Sequence, residues 1–373
     1  MNSIDSDSRI VMTLDAGGTN FVFSAIQGSS QIIKPIRRSP NSHQLQKCLG
    51  TIIDGFESVR KKLVEPPAAI SFAFPGPADY PKGIIGDLQN LPSFRGGVAL
   101  GPMLEEYFNI PVFINNDGNL FAYGEALYGI LPEINKKLKA TKSPKRFHNL
   151  IGITLGTGFG VGLVCNNKLI TGDNSNGGEG WLLRNILNPK YHVEKHLSRE
   201  GIRNNYAEKS GLPINLVGTP FDIYNIAKGL KKGHKEAAIS TFTDYGTVLG
   251  EALANIITLI DGVVVIGGGI SGAFDLFATS MFEQLDSHFL LNDGSLIQRV
   301  VPKIFNLEDP VAYNRLLEGQ KQELKIPNSS KKVVYDPFLR TGIGISKNGT
   351  SKIIGLGAYA FALNQLNESI VLN

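Results

Sequence analysis

The sequence predicts an α/β protein built from two related domains, and three observations carry this. Short apolar strands alternate with segments of helical spacing along most of the chain. A glycine-turned meander of strands at residues 10–36 recurs at residues 150–171. A chain of 373 residues suits two domains and is long enough to bury a sizeable core.

The first meander opens with Ile10–Leu14, an apolar run that reads as a buried strand. The segment Asp15-Ala16-Gly17-Gly18-Thr19-Asn20 is its turn, Phe21–Ile26 the second strand and Ile32–Ile36 the third. Apolar residues at Leu45, Leu49, Ile52, Ile53, Phe56, Val59 and Leu63 predict a helix that Pro66-Pro67 stops. Ala69–Phe74 reads as a strand ending in Pro75-Gly76-Pro77. Met103–Phe108 reads as a short helix and Val112–Ile114 as a strand. Asn115-Asn116-Asp117 is a polar tip, and Leu120–Leu127 continues as a helix.

Lys136–Arg146 is basic but lacks stacking aromatics, so it reads as a solvated surface insertion. The second meander is Leu150–Leu155, the turn through Gly156-Thr157-Gly158, Val161–Cys165 and Lys168–Thr171. Helices are expected over about 201–210, 221–231, 237–260 and 274–289, with a buried strand at Val263–Ile266. Residues 295–340 read as mixed and loop-rich. Ile353–Leu366 is a helix of small residues suited to close packing on a neighbour.

Composition excludes several classes. Thirty-seven Lys and Arg against 33 Asp and Glu leave a net charge of +4, too little to imply nucleic acid or an anionic membrane. Two cysteines, Cys48 and Cys165, make no disulfide framework. Met1–Arg9 is polar and does not read as a secretory signal. No run approaches the ~18 apolar residues of a membrane span. The expected location is the cytoplasm.

The motifs point to a polar ligand and a phosphate. Asp117 is a carboxylate at a strand end followed by a glycine, where open α/β sheets bind ligands. It is the candidate general base, against the plainer reading of a helix N-cap setting. Gly76, Asn90 and Glu179 also sit in loops beside or near glycines, where side chains can converge on sugar hydroxyls. In Asp15–Thr19, glycines let backbone N–H groups approach a phosphate. Asp15 would repel a bare phosphate, so its use is through Mg²⁺ and its waters. Gly156-Thr157-Gly158 supplies a second such turn. The chain contains no GxxxxGK[ST] loop.

Gly267–Gly272 matches GxGxxG, which opens a rival reading as a nicotinamide-dependent dehydrogenase. The acids at the right distance, Glu283 and Asp286, fall in a helical stretch, which counts against it. His192 and His196 have the i, i+4 spacing of a metal pair, but a plain helix face is the simpler expectation.

In order along the chain, DAGGTN (Asp15–Asn20), FPGP (Phe74–Pro77), NLP (Asn90–Pro92), NNDGN followed by GE (Asn115–Glu125), LGTGFGVG (Leu155–Gly162), GGE (Gly177–Glu179) and IGGGIS (Ile266–Ser271) resemble the ROK family of sugar kinases and related repressors. That family lies within the actin-like, hexokinase-like ATPase superfamily. The resemblance spans about residues 10–290 and 350–366. It implies two RNase H-like domains flanking a central cleft and ATP- and Mg²⁺-dependent phosphorylation of a hexose or N-acetylhexosamine. It also implies a smaller N-terminal domain at 1–118, joined by the C-terminal helix 353–373. The larger domain is then 119–352, with insertions near 131–148 and 295–340.

The same resemblance assigns roles. Asp117 corresponds to the catalytic base. Gly76, Asn90, Asn116, Asp117, Glu179 and Glu194 fall at the sugar, and Glu194 matches through its E-x-x-x-S context with Ser198. Asp15, Gly17, Gly18, Thr19 and Asn20, with Gly156, Thr157 and Gly158, correspond to the ATP phosphate turns. Gly267, Gly268 and Gly269 correspond to the adenosine loop.

The chain departs from the family after Glu179. Gly180-Trp181 stands where a Gly-His pair is usual, and residues 182–194 hold no cysteine, so the family's structural zinc is not expected. The resemblance favours a homodimer. The alternative is a catalytically inactive or sugar-sensing regulator; the short segment ahead of the first strand does not read as a DNA-binding helix-turn-helix.

Overall fold

The computed structural model describes residues 6–16, 20–88 and 91–372, with backbone only at 369–372. The chain divides into two compact units. One comprises Met1–Gly129, Asn167–Gly177 and Asn348–Asn373; the other comprises Ile130–Asn166 and Gly178–Lys347.

The first unit is a sheet backed by helices. Strand β1 (Val11–Ala16) pairs antiparallel with β2 (Phe21–Gln27), as the meander predicts. The third strand is not the expected Ile32–Ile36. It is split into β3 (Ser30–Gln31) and β4 (Ile36–Arg38), both paired with β2. Pro35 explains the break, because it has no N–H for the ladder.

Helix α1 (Leu45–Arg60) then crosses to β5 (Ala69–Ala73). Short strands β6 (Ala78–Asp79), β7 (Ile84–Ile85) and β8 (Val98–Ala99) form a small sheet of their own. Helix α2 (Leu100–Phe108) leads to β9 (Val112–Asn115), and α3 (Asp117–Tyr128) follows directly. The main order is β3-β2-β1-β5-β9, with β1, β5 and β9 parallel. Phe23, Phe56, Phe72 and Phe74 run through the core with successive ring centroids 5.2, 5.8 and 6.1 Å apart. Cys48 is buried among them, which pushes its thiol up to about 11.

In the second unit α4 (Ile130–Ala140) buries Leu131, Ile134 and Leu138 and turns Lys137 toward Glu133, 2.9 Å away. Half of the basic run is thus an amphipathic helix. Strand β10 (Leu150–Leu155) pairs antiparallel with β11 (Phe159–Cys165). The short strand β12 (Lys168–Ile170) falls in the segment grouped with the first unit. Helices α5 (Arg199–Ser210), α6 (Pro220–Ala227) and α7 (Lys235–Ile260) precede β13 (Val263–Gly267).

Helix α8 (Phe274–Leu285) stops short of the expected residue 289, because β14 (His288–Leu290) turns back in a hairpin with β15 (Leu296–Gln298). The loop-rich reading of 295–340 gives way to β16 (Lys303–Asn306), α9 (Pro310–Glu318) and the hairpin β17 (Gln322–Lys325) with β18 (Lys332–Tyr335). Strand β19 (Arg340–Ile345) lies between β13 and β16, parallel to both. The order β11-β10-β13-β19-β16 repeats the scheme of the first unit, an antiparallel hairpin extended by parallel strands.

The C-terminal helix α10 (Thr350–Leu372) packs on α3. Two glycines let the backbones meet. A Cβ on Gly124 would overlap the carbonyl oxygen of Ile353, and a Cβ on Gly357 would overlap that of Leu120. Behind the contact, Leu120 packs with Ala358 and with Ala73 of β5. The small-residue composition of 353–366 therefore acts as expected.

Gly357→Ala is expected to lower unfolding stability by about 1–3 kcal/mol, the usual cost of overpacking. Gly355→Ala is its control, since the nearest atom is Ile26 Cδ1 at 3.5 Å. That change should be neutral or stabilising, because alanine favours helix over glycine. Urea unfolding midpoints of the two variants check the contrast.

Candidate active site

Strand register gathers the candidate residues of the first unit. Asp15 lies opposite Ala73, and Ala73 lies opposite Asn115. The carboxyl ends of three parallel strands therefore carry Asp15, the Phe74-Pro75-Gly76 turn and Asn116-Asp117 side by side. This edge is where an open α/β sheet leaves backbone groups free for a ligand. The N–H of Phe74 donates to the Asn115 carbonyl at 3.0 Å, and the Tyr80 hydroxyl donates to the Phe74 carbonyl at 3.0 Å, which fixes the turn before Gly76.

The tip Asn115–Asn119 is held by its own amides. Asn115 Oδ1 accepts from Asn116 N–H at 2.8 Å and from Asn119 Nδ2 at 3.0 Å. Asn116 is the N-cap of α3, its Oδ1 accepting from Gly118 N–H at 2.8 Å. The same N–H reaches Asp117 Oδ1 at 2.8 Å. The cap falls to Asn116, and Asp117 occupies the first helical position.

Asp117 reaches solvent, but the protein around it still dehydrates its carboxyl. That dehydration is the main influence and raises the pKa above the ordinary value. The N–H groups of Gly118 and Asp117 pull it down, and the charge of Asp15 pushes it up further. Asp15 is itself exposed, and its carboxylate takes no hydrogen bond or ion pair from the described residues. Asn20 follows at the start of β2 and is exposed. Gly17, Gly18, Thr19 and Asn90 lie outside the described residues.

In the second unit the register places Thr154 opposite Gly267. The turn Gly156-Thr157-Gly158 and the run Gly267-Gly268-Gly269 consequently leave adjacent strand ends. Gly156 N–H donates to the Gly158 carbonyl at 3.1 Å, and Arg199 N–H donates to the Gly156 carbonyl at 3.0 Å. Gly268 has φ +89, and a Cβ there would overlap Leu155 O. Gly156 and Gly269 face open space on the side where a Cβ would stand. Glycine at these positions leaves room beside the backbone. Beyond them α8 holds Glu283, and Asp286 caps its C-terminus, so neither acid ends a second strand as a dinucleotide site requires.

Glu194 has a partner that its sequence context did not reveal. Its Oε2 accepts from Phe159 N–H at 2.8 Å, at the first residue after the Gly156–Gly158 turn. A Cβ on Gly158 would overlap that oxygen. Glu179 is exposed, and its carboxylate accepts from the Trp181 indole N–H. Trp181 packs partly against the core of the second unit and meets His192 edge-on, ring centroids 5.3 Å apart.

The two histidines are not on one helix face. They flank the 3₁₀ turn Val193–Lys195, and His196 Nδ1 bonds Asn185 Nδ2 at 2.8 Å. Asn185 is fully buried and ties the segment Leu183–Val193 into a closed loop. Its Oδ1 accepts from Leu187 N–H at 3.0 Å and from Asn188 N–H at 3.4 Å. No pattern in the sequence marks this asparagine, because one amide carries neither periodicity nor motif spacing.

Comparison with known proteins fits this arrangement. The structure is similar to a crystal structure of glucokinase from Parabacteroides distasonis, with TM-score 0.88 and 49% identity over 98% of this chain and 99% of that one. In sequence it is 27% identical over 288 residues to N-acetyl-D-glucosamine kinase of Vibrio cholerae, covering 74% of this chain and 89% of that protein. It shares the fold of a ROK family glucokinase from Streptomyces griseus, solved with glucose and AMPPNP, at TM-score 0.59 and 16% identity over 94% and 98% of the two chains. With seven ordered motifs, two matching sheets and a ROK family profile that covers residues 11–304, the chain belongs to the ROK family.

Proposed function

We propose that this protein transfers the γ-phosphoryl group of ATP to a hydroxyl of a hexose or N-acetylhexosamine, with Asp117 as general base. The observation that carries this reading is the register Asp15–Ala73–Asn115, which gathers Asp15 and Asp117 at one sheet edge. The 49% identity to a protein described as a glucokinase puts glucose first among the sugars to test.

The chemistry follows from the residues. Phosphoryl transfer needs positioning and charge neutralisation more than covalent help. Asp117 takes the proton of the attacking hydroxyl as the sugar oxygen bonds phosphorus and the bond to ADP breaks. Gly118 N–H holds Asp117 Oδ1 and so fixes the plane of the carboxylate. Its raised pKa brings it nearer the strength a base needs at neutral pH.

Asn116, Glu179 and Glu194 are assigned to sugar hydroxyls, with Gly76 and Asn90 in the loops beside them. Trp181 holds the Glu179 carboxylate through its indole N–H and stands in for the family's histidine there. Gly17, Gly18, Thr19 and Asn20, with Gly156, Thr157 and Gly158, are assigned to the phosphates, and Gly267–Gly269 to the adenosine.

The donors fit a divalent cation. Asp15 is an exposed carboxylate, unpaired among the described residues, whose charge already weighs on Asp117. Mg²⁺ held there through water would neutralise phosphate charge. A cation there would also relieve the repulsion between the Asp15 and Asp117 carboxylates.

ADP release from ATP and Mg²⁺ should be tested against glucose, mannose, fructose, allose, N-acetylglucosamine and N-acetylmannosamine. One sugar is expected to turn over, and Asp117→Asn should lower its kcat by about 10²–10⁴-fold. Unchanged turnover in the variant would refute the base, and no turnover on any sugar would favour a sensor.

Asp117 should titrate with a midpoint above 3.8 in carboxyl NMR of the free chain. The midpoint should fall in Asp15→Asn, which removes a like charge. In the active enzyme kcat/KM should then decline as pH falls through that raised value, because the base is lost by protonation. Gly158→Ala should displace Glu194 from Phe159 N–H and lower kcat/KM by roughly 10–100-fold, the scale of a small misplacement of catalytic parts. Steady-state kinetics of the folded variant decide this.

A further inference from the structure

The second unit contains a polar recess that the kinase reading leaves unused. Helix α5 lines it with Gly201, Asn204, Asn205, Glu208 and Lys209, the i, i+3, i+4, i+7, i+8 positions of one face. Ile202 and Tyr206 make the buried apolar face of the same helix. The polar face borders a cavity of about 520 Å³, with Asn204, Glu208 and Lys209 exposed on it. The facing wall is Leu187, Asn188 and Tyr191 of the loop closed by Asn185, with Lys195 and His196 just after it, and Asp244 of α7 completes the lining.

Existing hydrogen bonds define what the lining offers. Asp244 Oδ2 is engaged by Lys209 Nζ at 2.8 Å and by Asn205 Nδ2 at 3.2 Å, which leaves Oδ1 as an acceptor. The Asn204 amide and the Glu208 carboxylate take no hydrogen bond from the described residues. Asn185 Oδ1 is occupied by two backbone N–H groups, so its Nδ2 is the donor to His196 Nδ1. The His196 proton therefore sits on Nε2, making that atom a donor. Burial keeps this imidazole below its ordinary pKa and hence neutral at pH 7.

The charges balance. Lys195 and Lys209 offset Glu208 and Asp244. A lining without net charge does not select an anion or a cation. Side-chain amides beside carboxylates provide the paired donors and acceptors that adjacent hydroxyls require. Tyr191 is 47% exposed and adds an apolar ring at the rim.

We propose that this recess binds a neutral carbohydrate, as a second site separate from the sugar to be phosphorylated. Its wall is continuous with the machinery already described. Lys195 and His196 directly follow Glu194, whose carboxylate holds the Phe159 N–H of the phosphate turn. A sugar seated against them bears on that turn, so occupancy would tune phosphoryl transfer.

The test is calorimetric binding to the full chain without ATP, using glucose, N-acetylglucosamine and maltose as probes. Asn116→Ala removes a residue assigned to the substrate, while Asn204→Ala with Asn205→Ala and, separately, Glu208→Ala strip the recess. Glu208 takes no hydrogen bond among the described residues, so its variant keeps the test informative if the double variant fails to fold. At least one probe should bind the Asn116→Ala protein, and the recess variants should weaken that binding by about tenfold, the scale of losing one or two good hydrogen bonds.

Trp181, the one tryptophan in the chain, stands just ahead of that loop against His192 and gives a fluorescence readout of the event. No binding to the Asn116→Ala protein would overturn the proposal, as would binding that the recess variants leave unchanged. Tighter binding of glucose 6-phosphate than of glucose would overturn the neutral class. These readings use no turnover, so they stand or fall apart from the kinase assignment.

Discussion

The contact on which the first unit depends is the meeting of α3 and α10 through Gly124 and Gly357. It is a contact of backbone on backbone, with Leu120 O and Ile353 O where side chains would otherwise stand. Dense interiors tolerate little displacement, so this contact fixes α3 as a rigid body. Asp117 is the first residue of that helix, and its position is inherited from the packing. A carboxylate on a loop could drift. One at a helix start, wedged between a strand end and a packed helix, is preorganised.

The same device is used in both units. An antiparallel hairpin turns at a glycine-rich tip, and parallel strands carry further turns to the same sheet edge. The first unit presents carboxylates and asparagines there. The second presents bare backbone, with Glu194 propping the turn from the side. In the proposed phosphoryl transfer the first would remove a proton and the second would cradle anionic oxygens.

The legible parts of the sequence were the local and periodic ones. The two meanders, the long helices and the strand ends at Asp15, Asp117, Gly156 and Gly267 announce themselves through glycine turns after apolar runs. What stayed hidden has physical causes. Pro35 broke a strand that apolar content alone would have continued. Strands β16 and β19 lack a continuous apolar run, since Lys303 and Asn306 bracket one and Arg340, Thr341, Gly342 and Gly344 dilute the other, although both lie in the second unit's sheet. Asn185 organises a loop by hydrogen bonds whose partners cannot be read from spacing. The α5 row was invisible for the opposite reason. Polar residues at helical spacing look like a solvated face until the fold sets a wall opposite them.

The placement of α10 also bears on how the chain is made. Helix α3 is complete by residue 128, yet the surface it packs on is encoded beyond residue 350. The whole of α4 to β19 is synthesised between the two. At a synthesis rate of about 5–20 residues per second, α3 waits on the order of ten to forty seconds for its partner. During that interval the faces of Leu120 and Gly124 stand uncovered, while most of the second unit has already emerged and can close its own sheet. Assembly in the cell therefore runs against the order of the sequence. The unit that begins first finishes last, and its exposed helix is the surface a chaperone would meet on the nascent chain.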